Sequence, residues 1–225
     1  MDLWFIIMIL YDIHTHHIKP ELEGCEARSI LNVSPEDFGL QSGSDDVWLS
    51  CGIHPWYSLS SDRQFEIMSN LVADEKLVAI GEAGLDKLKG PEMKIQIEVF
   101  RRQIELAIKL QKPLIIHCIK AWEELIALYK EYKTDTPWII HGYRGNAEQT
   151  KQLGKLGFKF SIGEHFNAEA LKYIPNDSIF CETDISDISI CKIYAAICGS
   201  LGLSFDYFAR IIGDNMRICF NGITK

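Results

Sequence analysis

Apolar residues fall in short runs, separated by longer segments in which they recur every three or four positions. The short runs cover residues 5–12, 29–33, 47–53, 77–81, 113–117, 138–141, 158–162 and 179–182. They are close to continuously apolar rather than alternating, which is the pattern of parallel strands covered on both faces. The run at 29–33 carries the weakest signal. Between the runs the spacing predicts helices. Ser61-Asp-Arg-Gln64 reads as a capping box ahead of Phe65, Met68 and Leu71. Pro91 can start a helix whose stripe is Ile97, Phe100, Ile104, Ala107 and Ile108. Trp122, Leu125, Ile126 and Tyr129 form another stripe, and Asn146 opens a helix that stops near Gly154 or Gly157. Helices over 190–201 and 205–212 close the chain. Strand–helix alternation implies βαβ units and a parallel sheet. Eight strands in 225 residues predict an α/β fold, a slightly reduced (β/α)8 barrel of the TIM type forming one domain over residues 1–225. An open doubly wound sheet is the alternative. The crossovers after the first two strands are too short or too polar to predict helices.

Composition narrows the function. With 47% hydrophobic and 24% charged residues, the chain is an ordinary folded one, and disorder is excluded. Lys and Arg number 23 against 31 Asp and Glu, a net charge of −8. That excludes sequence-blind DNA binding through a broad basic surface. The seven cysteines are odd in number and contain no Cys-x-x-Cys pair, so they read as reduced core thiols of a cytoplasmic protein. The apolar stretch 3–11 follows Asp2, lacks a basic leader and is about half the length of a bilayer span, so it reads as a buried strand. Met8 offers a second start, which would leave residues 1–7 as an extension.

The chemistry sits where the strands end. The first run leads into His14-Thr-His16, the third into Gly52-Ile-His54 and the fourth into Glu82. The fifth ends at His117, the sixth at His141 and the eighth at Glu182-Thr-Asp184. In a parallel barrel these ends share one face, where active sites are built. His14 and His16, two residues apart on a strand, point to the same side. Converging imidazoles and carboxylates suit a divalent metal. A single histidine at a strand end is more often structural, but the shared position of the whole set argues for ligands. Glu82 leaves a buried run, so its carboxylate needs a cation or a partner; a salt bridge to Lys87 or Lys120 is the plain alternative. Asp184 reads as a helix N-cap or as a ligand and base, and Glu182 as a residue that orients a histidine.

In that order, Asp12-Ile-His14-Thr-His16, Gly52-Ile-His54-Pro, Gly81-Glu82-Ala-Gly-Leu-Asp86, Pro113-Leu-Ile-Ile-His117, His141-Gly-Tyr, Gly157-Phe-Lys-Phe-Ser161-Ile-Gly163 and Glu182-Thr-Asp184 resemble the TatD family of metal-dependent hydrolases. Each motif alone is weak; their joint order and spacing is specific and spans nearly the whole chain. The resemblance implies a distorted (β/α)8 barrel of the amidohydrolase-like group. It implies a deoxyribonuclease, often a 3'-5' exonuclease, acting on DNA or short oligonucleotides. It implies that His14, His16 and Asp184 hold one divalent ion, and that Glu82 bridges to a second held by His117 and His141. It places His54 beside the substrate phosphate, and makes Asp184, Glu82 and His54 the catalytic set. The two ions are Mg²⁺, Mn²⁺ or Zn²⁺: magnesium by resemblance, the others by the affinity of histidines for them. A monomer without a membrane partner is expected.

The departures bear on substrate. Many relatives follow Glu-Thr-Asp with an Ala-Pro segment and a basic loop, whereas here Asp184 leads through Ile185-Ser-Asp-Ile-Ser-Ile190 into a helix. Lys120 stands where many relatives carry Arg. Lys120 and Arg144 are the candidate phosphate contacts, and Trp56 and Tyr57 either stack a base or pack on the barrel rim. Other readings stay open: a different small phosphoester, ester or amide as substrate, or a metal-binding barrel without catalysis. A phosphoesterase of the polymerase-and-histidinol-phosphatase type would want a late Asp-x-His, which this chain lacks.

Overall fold

All eight apolar runs form strands, and they pair in parallel and in sequence order within one sheet: β1 (Met8–Thr15), β2 (Cys25–Val33), β3 (Trp48–Cys51), β4 (Leu77–Asp86), β5 (Leu114–Ile119), β6 (Trp138–Ile140), β7 (Lys159–Ile162) and β8 (Ile179–Cys181). The structure is a computed structural model and describes residues 8–18, 25–41, 47–71, 73–220 and 223. The expected strand start at 5–7 lies outside those residues. The weakest expected strand, β2, is among the longest; its first half is only half-buried and carries Glu26 and Arg28, so it shows no apolar run.

The largest difference from expectation is β4, which continues through Glu82 to Asp86 and is buried along its whole length. Gly81 is not a strand breaker here. Gly81 and Gly84, with φ of +151° and +148°, let β4 run against the backbone of β5. A Cβ on Gly81 would stand 2.5 Å from the Ile115 carbonyl oxygen, and one on Gly84 would collide with the His117 carbonyl. β1 and β5 likewise run past the expected ends, so His14 and His117 sit inside strands rather than after them.

The barrel is nearly closed. β1 and β8 meet through a bridge between Thr15 and Asp184, with Asp184 N–H donating to the His14 carbonyl (2.9 Å) and His16 N–H to the Asp184 carbonyl (3.1 Å). Lower down the seam, the Tyr194 hydroxyl accepts from Tyr11 N–H (3.1 Å) and donates to the Tyr11 carbonyl (3.0 Å). A side chain thus satisfies backbone groups that a buried strand could not leave unpaired.

The helices are α1 (Phe38–Gln41), α2 (Ser61–Asn70), α3 (Met93–Leu110), α4 (Trp122–Tyr132), α5 (Ala147–Leu156), α6 (Ala168–Leu171), α7 (Ile190–Leu201) and α8 (Phe205–Cys219). α5 has the expected Asn146 cap, accepting from Gln149 N–H at 2.9 Å, and stops at Gly157 with φ of +100°. The capping box at Ser61 does not form: a 3-10 helix over Pro55–Ser60 runs straight into α2, and Gln64 bonds Glu36 instead. α3 begins at Met93 rather than Pro91, and α8 extends to Cys219. α3 and α4 cover the outer face around Trp138, whose ring lies 5.7 Å from Phe100 and 5.2 Å from Tyr129. α7 and α8 both pack on β1. Among its described residues, 16–18, the segment joining β1 to β2 contributes no helix.

Candidate metal centre

The strands and the residues just after them bring five imidazoles and two carboxylates to one place. Glu82, near the middle of β4, is the hub. Its Oε2 faces His14 Nε2 and His16 Nε2, each at 3.6 Å. Its Oε1 faces His117 Nδ1 at 2.7 Å, His141 Nε2 at 2.8 Å and His54 Nε2 at 3.3 Å. Asp184 Oδ1 closes the first side, 3.7 Å from His14 Nε2 and 3.6 Å from His16 Nε2. Asp184 adopts a left-handed backbone (φ 52°), a conformation aspartate tolerates better than most side chains.

These donors fit divalent ions. Two donors held about 2.0–2.2 Å from a common ion lie roughly 3–3.5 Å apart, close to the spacing on the Oε2 side. Neither ring nitrogen of the fully buried His14 has a hydrogen-bond partner among the described residues. Burial, with the His141 charge beside it, lowers the His14 pKa to about 3, so the ring stays a neutral lone-pair donor. Burial alone would raise the Glu82 pKa, but the His141 charge and hydrogen bonds from His117, His141 and His16 outweigh it and hold the carboxylate ionised.

The far ring nitrogens distinguish the histidines. His117 Nε2 lies 3.3 Å from Asp86 Oδ2, and His141 Nδ1 lies 3.4 Å from Glu182 Oε1, which also accepts from Gly142 N–H at 2.6 Å. Without an ion the near nitrogens donate to Glu82; an acceptor behind each far nitrogen would let the ring keep its proton there and give the near lone pair to an ion, as a ligand requires. His54 is the opposite case. Its Nδ1 accepts from Trp56 N–H at 3.2 Å, so its neutral ring carries the proton on Nε2. Burial lowers its pKa, against the pull of Glu82. His54, Glu82 and His117 lie close enough to share an ion. His54 nevertheless presents a donor there rather than a lone pair.

Several supporting residues were given no role from the sequence, although Asp12 heads the motif that carries the resemblance. Asp12, raised to about 7 by burial against hydrogen bonds from Thr183, accepts from Thr183 N–H (3.0 Å) and Oγ1 (2.6 Å) and so fixes the residue before Asp184. Asn32 accepts from Glu82 N–H at 2.6 Å. Two buried glutamines of α3 hold strand ends. Gln103 bonds both backbone groups of Ile53, at 2.7 and 3.0 Å. Gln96 accepts from Asp86 N–H (2.8 Å) and donates to the Asp86 carbonyl (3.0 Å). They stand seven residues apart on the apolar face of α3, and a polar residue at a core-facing position needs a buried partner.

The centre opens into a cavity of about 640 Å³, whose walls include Leu31, Val33, Leu40, Trp56, Tyr57 and Ile185. No Lys or Arg is among the described residues lining it. Lys120 and Arg144, expected beside the phosphate, are exposed and outside this cavity. Lys87 does not pair with Glu82 either; it bonds Glu124 at 2.8 Å. Trp56 is held by its Nε1–H donating to Asp86 Oδ2 (2.7 Å), while Tyr57 is 62% exposed at the mouth.

A parallel barrel with a histidine–carboxylate centre at its C-terminal face defines a class of α/β barrel built to hold divalent ions. The chain belongs to the family described as TatD related DNase, whose model matches residues 34–221. It is 36% identical over 149 residues to YcfH of Escherichia coli, named an uncharacterized metal-dependent hydrolase, covering 62% of this chain and 56% of that protein. It is 35% identical over 196 residues to the human 3'-5' RNA nuclease TATDN2, covering 76% of this chain and 25% of that protein. The chain thus spans little more than half the length of the bacterial relative. The solved structure of YJJV, a TatD homologue from Escherichia coli K12, superposes with a TM-score of 0.83 at 21% identity, covering 96% of this chain and 99% of that one.

Proposed function

We propose that the protein is a metal-dependent phosphodiesterase that cleaves at the ends of DNA or RNA strands and of short oligonucleotides. The observation that carries this reading is Glu82, whose two oxygens face two separate sets of donors. The family description and the name of the human relative support a nucleic-acid substrate. His14, His16, Asp184 and Glu82 Oε2 would hold one ion; His117, His141 and Glu82 Oε1 would hold the other. When bound, such a pair of ions supplies Lewis-acid polarisation of the phosphodiester and acidifies water.

The protein's own groups do the rest. His54 donates Nε2–H to a non-bridging phosphate oxygen and steadies the charge that grows there. Asp184, facing the cavity, takes the proton of the attacking water. Tyr57 offers a flat face to an unstacked base, while the Lys89 ammonium covers one face of Trp56, 3.3 Å from the ring centroid. With no Lys or Arg among the described residues lining the cavity, the grip on phosphate falls on the ions and His54, which favours strand ends over long duplexes.

The test is a panel of single-stranded DNA, duplex DNA, RNA and a small phosphodiester with Mg²⁺, Mn²⁺ or Zn²⁺. Cleavage of at least one nucleic acid, lost on chelation, is expected. Turnover of a neutral ester or amide, with every phosphodiester untouched, would overturn the reading.

A further inference from the structure

Asp86 is not needed as a ligand in the two-ion reading, yet its carboxylate has four donors around it. Oδ1 accepts from Leu88 N–H (2.7 Å) and Lys89 N–H (3.1 Å). Oδ2 accepts from Trp56 Nε1–H (2.7 Å) and stands 3.3 Å from His117 Nε2. Gln96 holds both backbone groups of the same residue. The side chain is 4% exposed, so it has neither solvent nor freedom to turn away. Fixed acceptors behind a ligand decide which ring nitrogen carries the proton, and partners of this kind typically change metal affinity about 10–100-fold.

We propose that Asp86 is a positioning residue. It accepts the Nε2 proton of His117, so that Nδ1 is the nitrogen left to give a lone pair to an ion seated between it and Glu82, and it ties that histidine to the Trp56 segment beside His54. The inference rests on the two-ion reading. Without Asp86, nothing on that side selects the tautomer. The Nδ1 proton that bridges to Glu82 Oε1 at 2.7 Å would then be the ring's favoured one, and it occupies the place an ion needs. Trp56 acts through the same oxygen, so the wall that carries His54 and the second donor set share one anchor.

The experiment is Mn²⁺ titration of the full chain, followed by electron paramagnetic resonance and by metal content after dialysis. Imidazole ¹⁵N shifts of the Zn²⁺-loaded protein report whether His117 keeps its proton on Nε2 and gives Nδ1 to the ion. For Asp86→Ala we expect binding of the second ion to weaken about 10–100-fold, the first ion to stay, and the His117 resonance to move toward mixed tautomers. Asp86→Asn keeps an acceptor for Nε2–H and should recover part of the second-ion affinity. Trp56→Phe leaves the 87–90 turn intact and should weaken the second ion by a smaller factor. Second-ion affinity and tautomer unchanged in Asp86→Ala would overturn the assignment of Asp86 alone. Equal loss of both ions in Asp86→Ala and Asp86→Asn would overturn it in favour of a purely structural role. Fewer than two ions in the unmutated protein would overturn the two-ion reading itself, and the Asp86 inference with it.

Discussion

The two sides of Glu82 are built differently. On the Oε2 side, His14, His16 and Asp184 stand at an even 3.6–3.7 Å, and no second carboxylate backs His14. The backbone does the positioning there: a shared strand face, and a β1–β8 bridge that fixes Asp184 against His14. On the Oε1 side two imidazoles close to 2.7 and 2.8 Å of one oxygen, and each is backed by a buried carboxylate. Side chains do the positioning there. One face of the centre is set by strand register, and the other by a chain of hydrogen bonds that a single substitution can break.

Removing the hub should erase the distinction. Glu82→Ala takes one donor from each side, and we expect it to bind neither ion tightly and to lose detectable hydrolysis, read by metal content and turnover. If one side still binds as before, the sides are independent and Glu82 is not shared. His54→Ala sharpens the contrast among the histidines: both ions should remain, while kcat falls about 100-fold, the loss typical of one positioned proton donor. Loss of an ion instead would make His54 a ligand. Gly84→Ala attacks the support common to both sides. Its Cβ would meet the His117 carbonyl at a left-handed φ, and denaturant unfolding should show a loss of about 3 kcal/mol or more.

The smallest effect concerns the thiols inside this frame. Burial lifts Cys51 and Cys118 from 9.0 to about 12. At pH 8 only about one thiol in 10⁴ is then ionised, so alkylation should spare both until the protein unfolds. Because the folded values lie above the unfolded one, the folded state holds the extra protons. Stability should therefore fall as pH rises between about 9 and about 12.

Much of this was legible along the chain. Near-continuous apolar runs place the strands, because strands buried on both faces tolerate little else. The His-x-His spacing puts two rings on one face because a strand has a period of two. Other features were not legible. Gly81 reads as a stop unless the neighbouring strand is known to need the space a Cβ would take. Lys120 and Arg144 follow ligand-bearing strands, but position in the chain does not say where a long side chain points. Asp86, Gln96 and Gln103 act through contacts 10 to 50 residues away in sequence, which no local pattern announces. Asp86 did carry one local sign, since it lies four residues after Glu82 on the same strand and therefore on the same face.

The seam between the first and last strands has a consequence for how the chain assembles. Tyr194 satisfies the backbone of Tyr11 across 183 residues of sequence, and α7 and α8 cover β1. β1 cannot reach its final packing until α7 and α8 exist. During synthesis β1 would leave the ribosome long before its cover, with apolar surface exposed for tens of seconds at about 5–20 residues per second. Long-range closure of this kind slows folding, and the first strand is where a chaperone would find the nascent chain most receptive.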